Sequence, residues 1–212
     1  MSRGPARAVV SDFGGVLTNP LIEAFAAYQE SSGVSFAELG QAMQRATEAH
    51  AGEHPLFQLE KGLITEDEFL GRLEAELPEG TRLEGFRDVY FDALHPNHEL
   101  IEFMRELRGR GLRMAMLTNN VREWEPYWRA KLPVDEIFEV VVDSAFVGMR
   151  KPEPAIYELT LERLGGGIAA ADCVFLDDLE PNCEAAAALG MRAVRYESNE
   201  QAIPAIEAAL RG

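Results

Sequence analysis

One stretch limits what this chain can fold into more than any other: Val9-Val10-Ser11-Asp12-Phe13-Gly14-Gly15-Val16-Leu17-Thr18. An apolar run ends at a carboxylate, and two glycines follow at once. The pattern predicts a buried strand closed by Asp12, then a tight loop where backbone can approach a ligand closely. An open α/β sheet keeps its chemistry at the C-terminal ends of such strands. An isolated strand-end Asp can equally cap the next turn, so the downstream chain decides between the two.

Downstream, two kinds of sequence alternate in blocks. From Asn19 to His95 the signals are helical. Asn19-Pro20 reads as an N-cap followed by proline at the first helical position, opening a helix to about Glu30. Ser35-Phe36-Ala37-Glu38 and Thr65-Glu66-Asp67-Glu68 are capping boxes, with Val34/Leu39 and Ile64/Phe69 as staple pairs; they open helices to about Ala49 and Leu77. No convincing strand interrupts this segment. From Pro96 the pattern changes to helix, strand, helix, strand. Strands are expected over 112–117, 138–142, 173–176 and 193–196, with helices ending near Gly109, through Trp124, Tyr127 and Trp128, over 155–164, over 185–189, and from about Glu200. Alternating strands and helices imply a parallel sheet with right-handed crossovers. The expected fold class is therefore α/β: a Rossmann-like parallel-sheet core of residues 1–18 and 96–212, with an all-helical cap inserted at 19–95.

The length of 212 residues suits a core with one smaller inserted unit. Charge supports the division, because residues 19–95 hold 5 Lys or Arg against 15 Asp or Glu, while the remainder holds 15 against 21. The net charge of −16 argues against nucleic acid or anionic membrane as partners. Cys173 and Cys183 have no disulfide or metal spacing and read as buried reduced thiols. The N-terminus lacks the apolar core of a signal peptide, and no apolar run approaches the ~18 residues of a membrane span. A cytoplasmic protein is expected, as a monomer or homodimer.

Three strands are expected to end in polar residues at one sheet edge: Asp12, Thr118-Asn119 and Asp177-Asp178. Three converging carboxylates repel one another unless a cation sits among them, and a hard divalent ion such as Mg²⁺ suits oxygen ligands. Lys151, followed by Pro152, adds a compact positive charge. Thr118 and Asn119 offer a hydroxyl and an amide to substrate oxygens. Such a constellation suits transfer of a phosphoryl group from a small phosphorylated molecule to an Asp nucleophile.

These motifs resemble those of the haloacid dehalogenase (HAD) superfamily along almost the whole chain: Asp12, Thr118, Lys151 and Asp177-Asp178 come in the family's order. Residues 117–119, 147–154 and 174–178 with Asn182, and the run Lys-Gly-Leu-Ile-Thr at 61–65, are most similar to the N-terminal phosphatase domain of soluble epoxide hydrolase. No epoxide hydrolase domain is expected here. The resemblance implies a HAD-type hydrolase, a Mg²⁺-dependent phosphatase working through an aspartyl-phosphate. Asp12 would be nucleophile and metal ligand, with Asp178 and the Gly14 carbonyl as further ligands. Asp177 and Asn182 would orient metal waters or Lys151. Thr118 and Asn119 would hold the phosphoryl oxygens, and Lys151 would neutralise their charge. One position departs from the pattern. Family members usually carry a second Asp as general acid and base where this chain has Gly14, a contribution worth about 10²–10⁴-fold. Activated leaving groups should then be favoured, with solvent or Asp177 taking part of the proton work.

Two other enzymatic or binding readings follow from the same motifs. A metal-free 2-haloacid dehalogenase would not need both Asp177 and Asp178, and a phosphate-binding or regulatory relic would bind ligand without releasing phosphate. His50 and His54 have the spacing of a helical metal pair, but Gly52 and Pro55 break that helix and favour surface positions. Trp124, Tyr127 and Trp128 at helical spacing fit core or interface better than a substrate pocket.

Overall fold

A computed structural model describes residues 4–212. Five strands, β1 (Ala8–Ser11), β2 (Arg113–Thr118), β3 (Val140–Asp143), β4 (Cys173–Asp177) and β5 (Arg192–Arg195), form one parallel sheet in the order β3-β2-β1-β4-β5. The chain builds outward from β1 to β3, then returns to add β4 and β5 on the other side. That reversal opens a crevice beyond the C-terminal end of β1.

Side chains alternate across each strand, so the sheet buries two different faces. Ala8 and Val10 face Ala115, Leu117 and Phe175, and meet α10 (Pro154–Leu164) and α11 (Glu180–Ala188) through Ile156, Tyr157 and Ala186. Val9 faces the other way with Met114, Met116, Val174 and Leu176, towards Leu100 and Met104 of α6 (His98–Gly109) and Ile206 of α12 (Asn199–Arg211). Buried on both sides, the strands read as near-continuous apolar runs, and each fully buried Val, Leu or Phe contributes roughly 1.5–3 kcal/mol.

Between β1 and α6 lie five helices and no strand: α1 (Leu21–Ser32), α2 (Phe36–Ala49), α3 (Pro55–Glu60), α4 (Glu66–Glu74) and α5 (Phe86–Ala93). Both capping boxes form as expected, with Ser35 Oγ accepting from Glu38 N–H and Thr65 Oγ1 from Glu68 N–H, each returned by the glutamate. The start of α1 differs from expectation. Pro20 takes the N-cap position without a side-chain bond. The Asn19 amide instead donates to Ala93 O and Glu23 and accepts from His95 N–H. This happens because the chain enters and leaves the helical segment side by side. Asn19 N–H donates to His95 O, Asn97 N–H donates to Leu17 O, and Thr18 pairs with Pro96 in an antiparallel bridge.

Elsewhere the boundaries shift for local reasons. The segment around Trp124 divides into a 3₁₀ turn (Arg122–Trp124) and α7 (Glu125–Arg129), because Pro126 lacks an N–H and suits only a helix's first turn. Helix α11 begins five residues before its expected start, with no side-chain cap to announce it. Two single-turn helices, α8 (Val134–Ile137) and α9 (Ser144–Val147), flank β3. Trp128 is fully buried against Phe13, ring centroids 5.6 Å apart, and Trp124 is buried too; Tyr127 is partly exposed. Both cysteines are buried free thiols, pushed up to about 12 first by burial.

Two polar groups matter to this framework beyond the expected site. Asn97 caps α6 by accepting from Leu100 N–H, donates to Val16 O and the Tyr196 hydroxyl, and exchanges hydrogen bonds with Asn199. It ties the exit from the helical segment to α12. Asn97→Ala should cost about 2–3 kcal/mol in urea denaturation, and a loss below about 0.5 kcal/mol would show that the tie carries little. Asp143 ends β3 and caps α9 through Oδ1, which accepts from Ala145 N–H. Its Oδ2 and Trp128 Nε1 are both sealed from solvent and approach each other without a well-formed hydrogen bond. Burial pushes this carboxyl up to about 7. A carboxyl with a higher pKa folded than unfolded binds more protons in the native state, so its contribution is full below about pH 4 and is lost as pH climbs to about 7. Asp143→Asn keeps the cap and should remove that slope, gaining on the order of 3 kcal/mol at about pH 8. Parallel stability profiles for the two proteins between about pH 4 and 8 would contradict this.

Candidate active site

The parallel register sets the ends of four strands along one edge. Ser11 lies level with Met116 and Leu176, and Thr118 level with Asp143, so Asp12, Thr118, Asp143 and Asp177 come together there. Lys151 joins them from the turn before α10. Its main chain is held on both sides by the Asn119 side chain, whose Oδ1 accepts from Lys151 N–H (2.8 Å) and whose Nδ2 donates to Lys151 O (3.0 Å). The ammonium is 1% exposed and lies 2.7 Å from Asp12 Oδ1 and 2.6 Å from Asp177 Oδ2. Burial opposes the charged form, yet the two carboxylates outweigh it and raise the Lys151 pKa, so the ammonium persists.

Asp177 is sealed and fully committed. Oδ1 accepts from Leu179 N–H and Asn182 Nδ2, both at 2.9 Å, while Oδ2 takes Lys151. Asn182 is fixed in turn by the Tyr157 hydroxyl donating to its main-chain oxygen. Asp178 is half-buried beside Gly15. A Cβ at Gly15 would stand 2.7 Å from Asp178 Oδ2, and its φ of +75° also demands glycine. Carboxylate oxygens of Asp12, Asp177 and Asp178 lie within 4.8 Å of one another. Burial first, then repulsion from Asp177 and Asp178, pushes Asp12 up to about 7 against the pull of Lys151. Burial and Asp177 likewise raise Asp178. Three carboxylates face one ammonium, every donor is oxygen, and the glycine turn leaves room that a side chain would fill. The residues present fit a hard divalent cation.

The surroundings of three of these side chains bear on the roles expected of them. The Asn119 side-chain amide clamps the Lys151 main chain through Oδ1 and one Nδ2 hydrogen. Asp177 has no open surface from which to move a proton to or from a leaving group. Thr118 does remain available, since its hydroxyl makes one long 3.5 Å bond to Asn119 O. Asp143, the fourth strand-end carboxylate, was legible as the polar end of Val140-Val141-Val142 and yet not singled out. Gly14 lies in the turn after β1, where a Cβ would stand 3.1 Å from Leu21 Cδ1. The first residue of α1 therefore covers the point from which a longer side chain would emerge.

The helical segment is fastened beside this site. Glu60 meets Arg150 at 2.6 Å, with both side chains largely buried, and Arg150 stacks 3.9 Å over Phe57. Lys61 pairs with Glu153 at 2.5 Å. Gly62 packs so closely on Ala145 O that a Cβ would stand 2.2 Å from it. Further along, Glu66 accepts from Trp124 Nε1 and from Arg87, both at 2.9 Å. His50 and His54 do not pair: His50 Nδ1 contacts Ala46 O, while His54 stacks on Phe57.

Comparison with known proteins agrees with this architecture. Mouse acyl-CoA dehydrogenase family member 10 is 31% identical over 96% of the chain, which spans 19% of that protein. The sesquiterpene phosphatase of Aspergillus oryzae is 30% identical over 87% of each chain. The rat bifunctional epoxide hydrolase 2 is 25% identical over 73% of this chain and 30% of its own. A predicted HAD-like family hydrolase from Porphyromonas gingivalis shares the fold with a TM-score of 0.74, 24% identity and coverage of 99% and 100%. A HAD family enzyme from Bacteroides thetaiotaomicron, solved with magnesium and inorganic phosphate, superposes with a TM-score of 0.69 at 22% identity, over 92% of this chain and 96% of its own. A family model of haloacid dehalogenase-like hydrolases matches residues 6–190, and the chain belongs to that family.

Proposed function

We propose that this protein is a Mg²⁺-dependent phosphatase that hydrolyses a small-molecule phosphate monoester through an aspartyl-phosphate on Asp12. The observation that carries the reading is the buried Lys151 ammonium set between Asp12 and Asp177, with Asp178 completing an all-oxygen cluster. Names borne by relatives support it: the fungal protein 30% identical over 87% of each chain is a phosphatase, and a structural neighbour was solved with magnesium and inorganic phosphate.

Asp12, Asp178 and the Gly14 carbonyl would hold the metal. Bound there, Mg²⁺ would supply positive charge to the carboxylates and to the phosphoryl group. In the first step an Asp12 oxygen attacks phosphorus, and the bond to the leaving-group oxygen breaks with its electron pair passing to that oxygen. Lys151 balances the charge on the phosphoryl oxygens while Asp177 and Asn119 hold it in place. The Thr118 hydroxyl donates to one of those oxygens. Water then attacks the aspartyl-phosphate and frees Asp12. Residues 19–95 act as a cap over residues 4–18 and 96–212, excluding bulk water and selecting the leaving group.

Phosphate release from p-nitrophenyl phosphate tests the reading. Turnover should need Mg²⁺, vanish with chelator, and fall at least about 10³-fold in Asp12→Asn. A folded protein that binds phosphate and Mg²⁺ without turnover would instead be a binding relic. The absent acid at Gly14 gives a second expectation. Gly14→Asp needs only the tip of Leu21 to move, and should speed an alkyl phosphate by about 10–100-fold while changing p-nitrophenyl phosphate little. No gain on the alkyl ester, alone or with Leu21→Ala, would mean that leaving-group protonation does not limit this enzyme.

A further inference from the structure

Lys151 is anchored from two sides, and one anchor lies in the inserted segment. The core holds its main chain through the Asn119 side chain. The residue before it reaches α3 instead: Arg150 Nε donates to Glu60 at 2.6 Å, and the guanidinium lies 3.9 Å over the Phe57 ring. The two charged side chains are 16% and 15% exposed, so water and salt screen the pair little. Lys61 adds a more exposed bridge to Glu153, whose other oxygen accepts from Arg150 N–H at 3.4 Å. Gly62 then closes on Ala145 O with a φ of +64°, a conformation and a closeness that suit only glycine. Three consecutive residues thus seat the end of α3 on the core beside Lys151.

Residues 150 and 151 share one planar peptide. With Arg150 held on α3 and Lys151 held by Asn119, that peptide has little freedom to rotate, and the ammonium stays 2.7 Å and 2.6 Å from Asp12 and Asp177. Without Glu60 the buried guanidinium has no carboxylate, and breaking such a pair leaves a charge that is drawn towards water. The peptide it shares with Lys151 moves with it. The inserted segment has a second tie to the core that lacks this link. Glu66 accepts from Trp124 Nε1 and pairs with Arg87, and it makes no hydrogen bond or ion pair to residues 148–153 among the described residues.

We propose that Glu60 is a positioning residue for Lys151: the inserted segment, acting through Arg150, sets the ammonium that balances the phosphoryl charge. This rests on the phosphatase reading. The site is then complete only while the end of α3 is seated on the turn that carries Lys151, and the helical segment contributes to the rate as well as to the covering of the crevice. Charge stabilisation depends on a donor already in place, and a displacement of about 1 Å can cost up to about 10²-fold in rate.

The test compares kcat and KM of Glu60→Gln and Glu66→Gln on p-nitrophenyl phosphate with Mg²⁺, after thermal melts confirm the fold. Both variants remove a buried carboxylate charge from the helical segment, so a loss that reflects only the seating of that segment is common to both. Glu60→Gln should lower kcat by about tenfold or more and shift KM by less than about threefold, while Glu66→Gln keeps kcat within about threefold. Arg150→Met dissolves the same bridge from its other end, leaving Glu60 free to take up a proton, and should match Glu60→Gln. In a Lys151→Met background, followed in single turnover, Glu60→Gln should change the rate by less than about twofold, because the group it positions is gone. A kcat within about threefold in both bridge variants, an equal fall in Glu66→Gln, or a full fall in the Lys151→Met background each overturns the assignment while leaving the phosphatase reading intact. No metal-dependent turnover by the unaltered protein overturns both.

Discussion

One buried ammonium group is the constraint on which the site depends. Lys151 is 1% exposed, and isolated in such a place it would cost several kcal/mol to keep charged. It is kept charged by two carboxylates, neither of which is free to leave. Asp177 is pinned by Leu179 N–H and Asn182, and Asp12 closes the central strand. The lysine main chain is pinned as well, by an asparagine 32 residues earlier. Removing any partner leaves a buried charge without compensation, so the arrangement stands or falls as a unit. Its excess negative charge is the other half of the same fact. One lysine does not neutralise three carboxylates, and the remaining field suits a divalent cation.

The inserted helices are joined to this unit at two kinds of place. One is the short antiparallel ribbon of residues 17–19 and 95–97, where entry and exit run side by side. The other is the pair of ion bridges from Glu60 and Lys61 to Arg150 and Glu153, which bracket Lys151. Burial holds Glu60 above the ordinary carboxylate range in spite of Arg150, so the first bridge is not a loose surface contact. A movement of the helical segment about the ribbon has to break or carry these bridges. The site lysine and the helical segment are thus mechanically linked through two adjacent turns.

Much of this is legible in the chain because the candidate site residues sit at grammatical positions. Asp12, Thr118 and Asp177 each end an apolar run, and Lys151 stands directly before a proline. The two capping boxes announced α2 and α4 for the same reason: each is a local pattern with a local cause. What stayed hidden depends on partners distant in sequence. Asparagine at 119 suggests a ligand for substrate, and only the fold shows that its amide is occupied by the Lys151 main chain. Asn19 suggested a cap, but the neighbouring strand of the ribbon claims its side chain. The cover that Leu21 places over Gly14 has no signature in spacing at all. Helix α11 began early because it has no capping side chain to mark its start.

The strand order has a consequence for how the molecule assembles. β1 is central, yet it is made first, and its partners arrive only at residues 113–118 and 173–177. During synthesis its apolar residues must wait, unpaired on both edges, while the helical segment folds from contacts close in sequence. Parallel pairing over such separations is slow, and exposed strand edges invite association with other chains. The antiparallel ribbon shortens that wait: once residues 95–97 meet residues 17–19, the long insertion is bypassed and β1 lies near the chain that will become β2. The ribbon that closes the insertion thus returns the chain to the side of the central strand before β2 is reached.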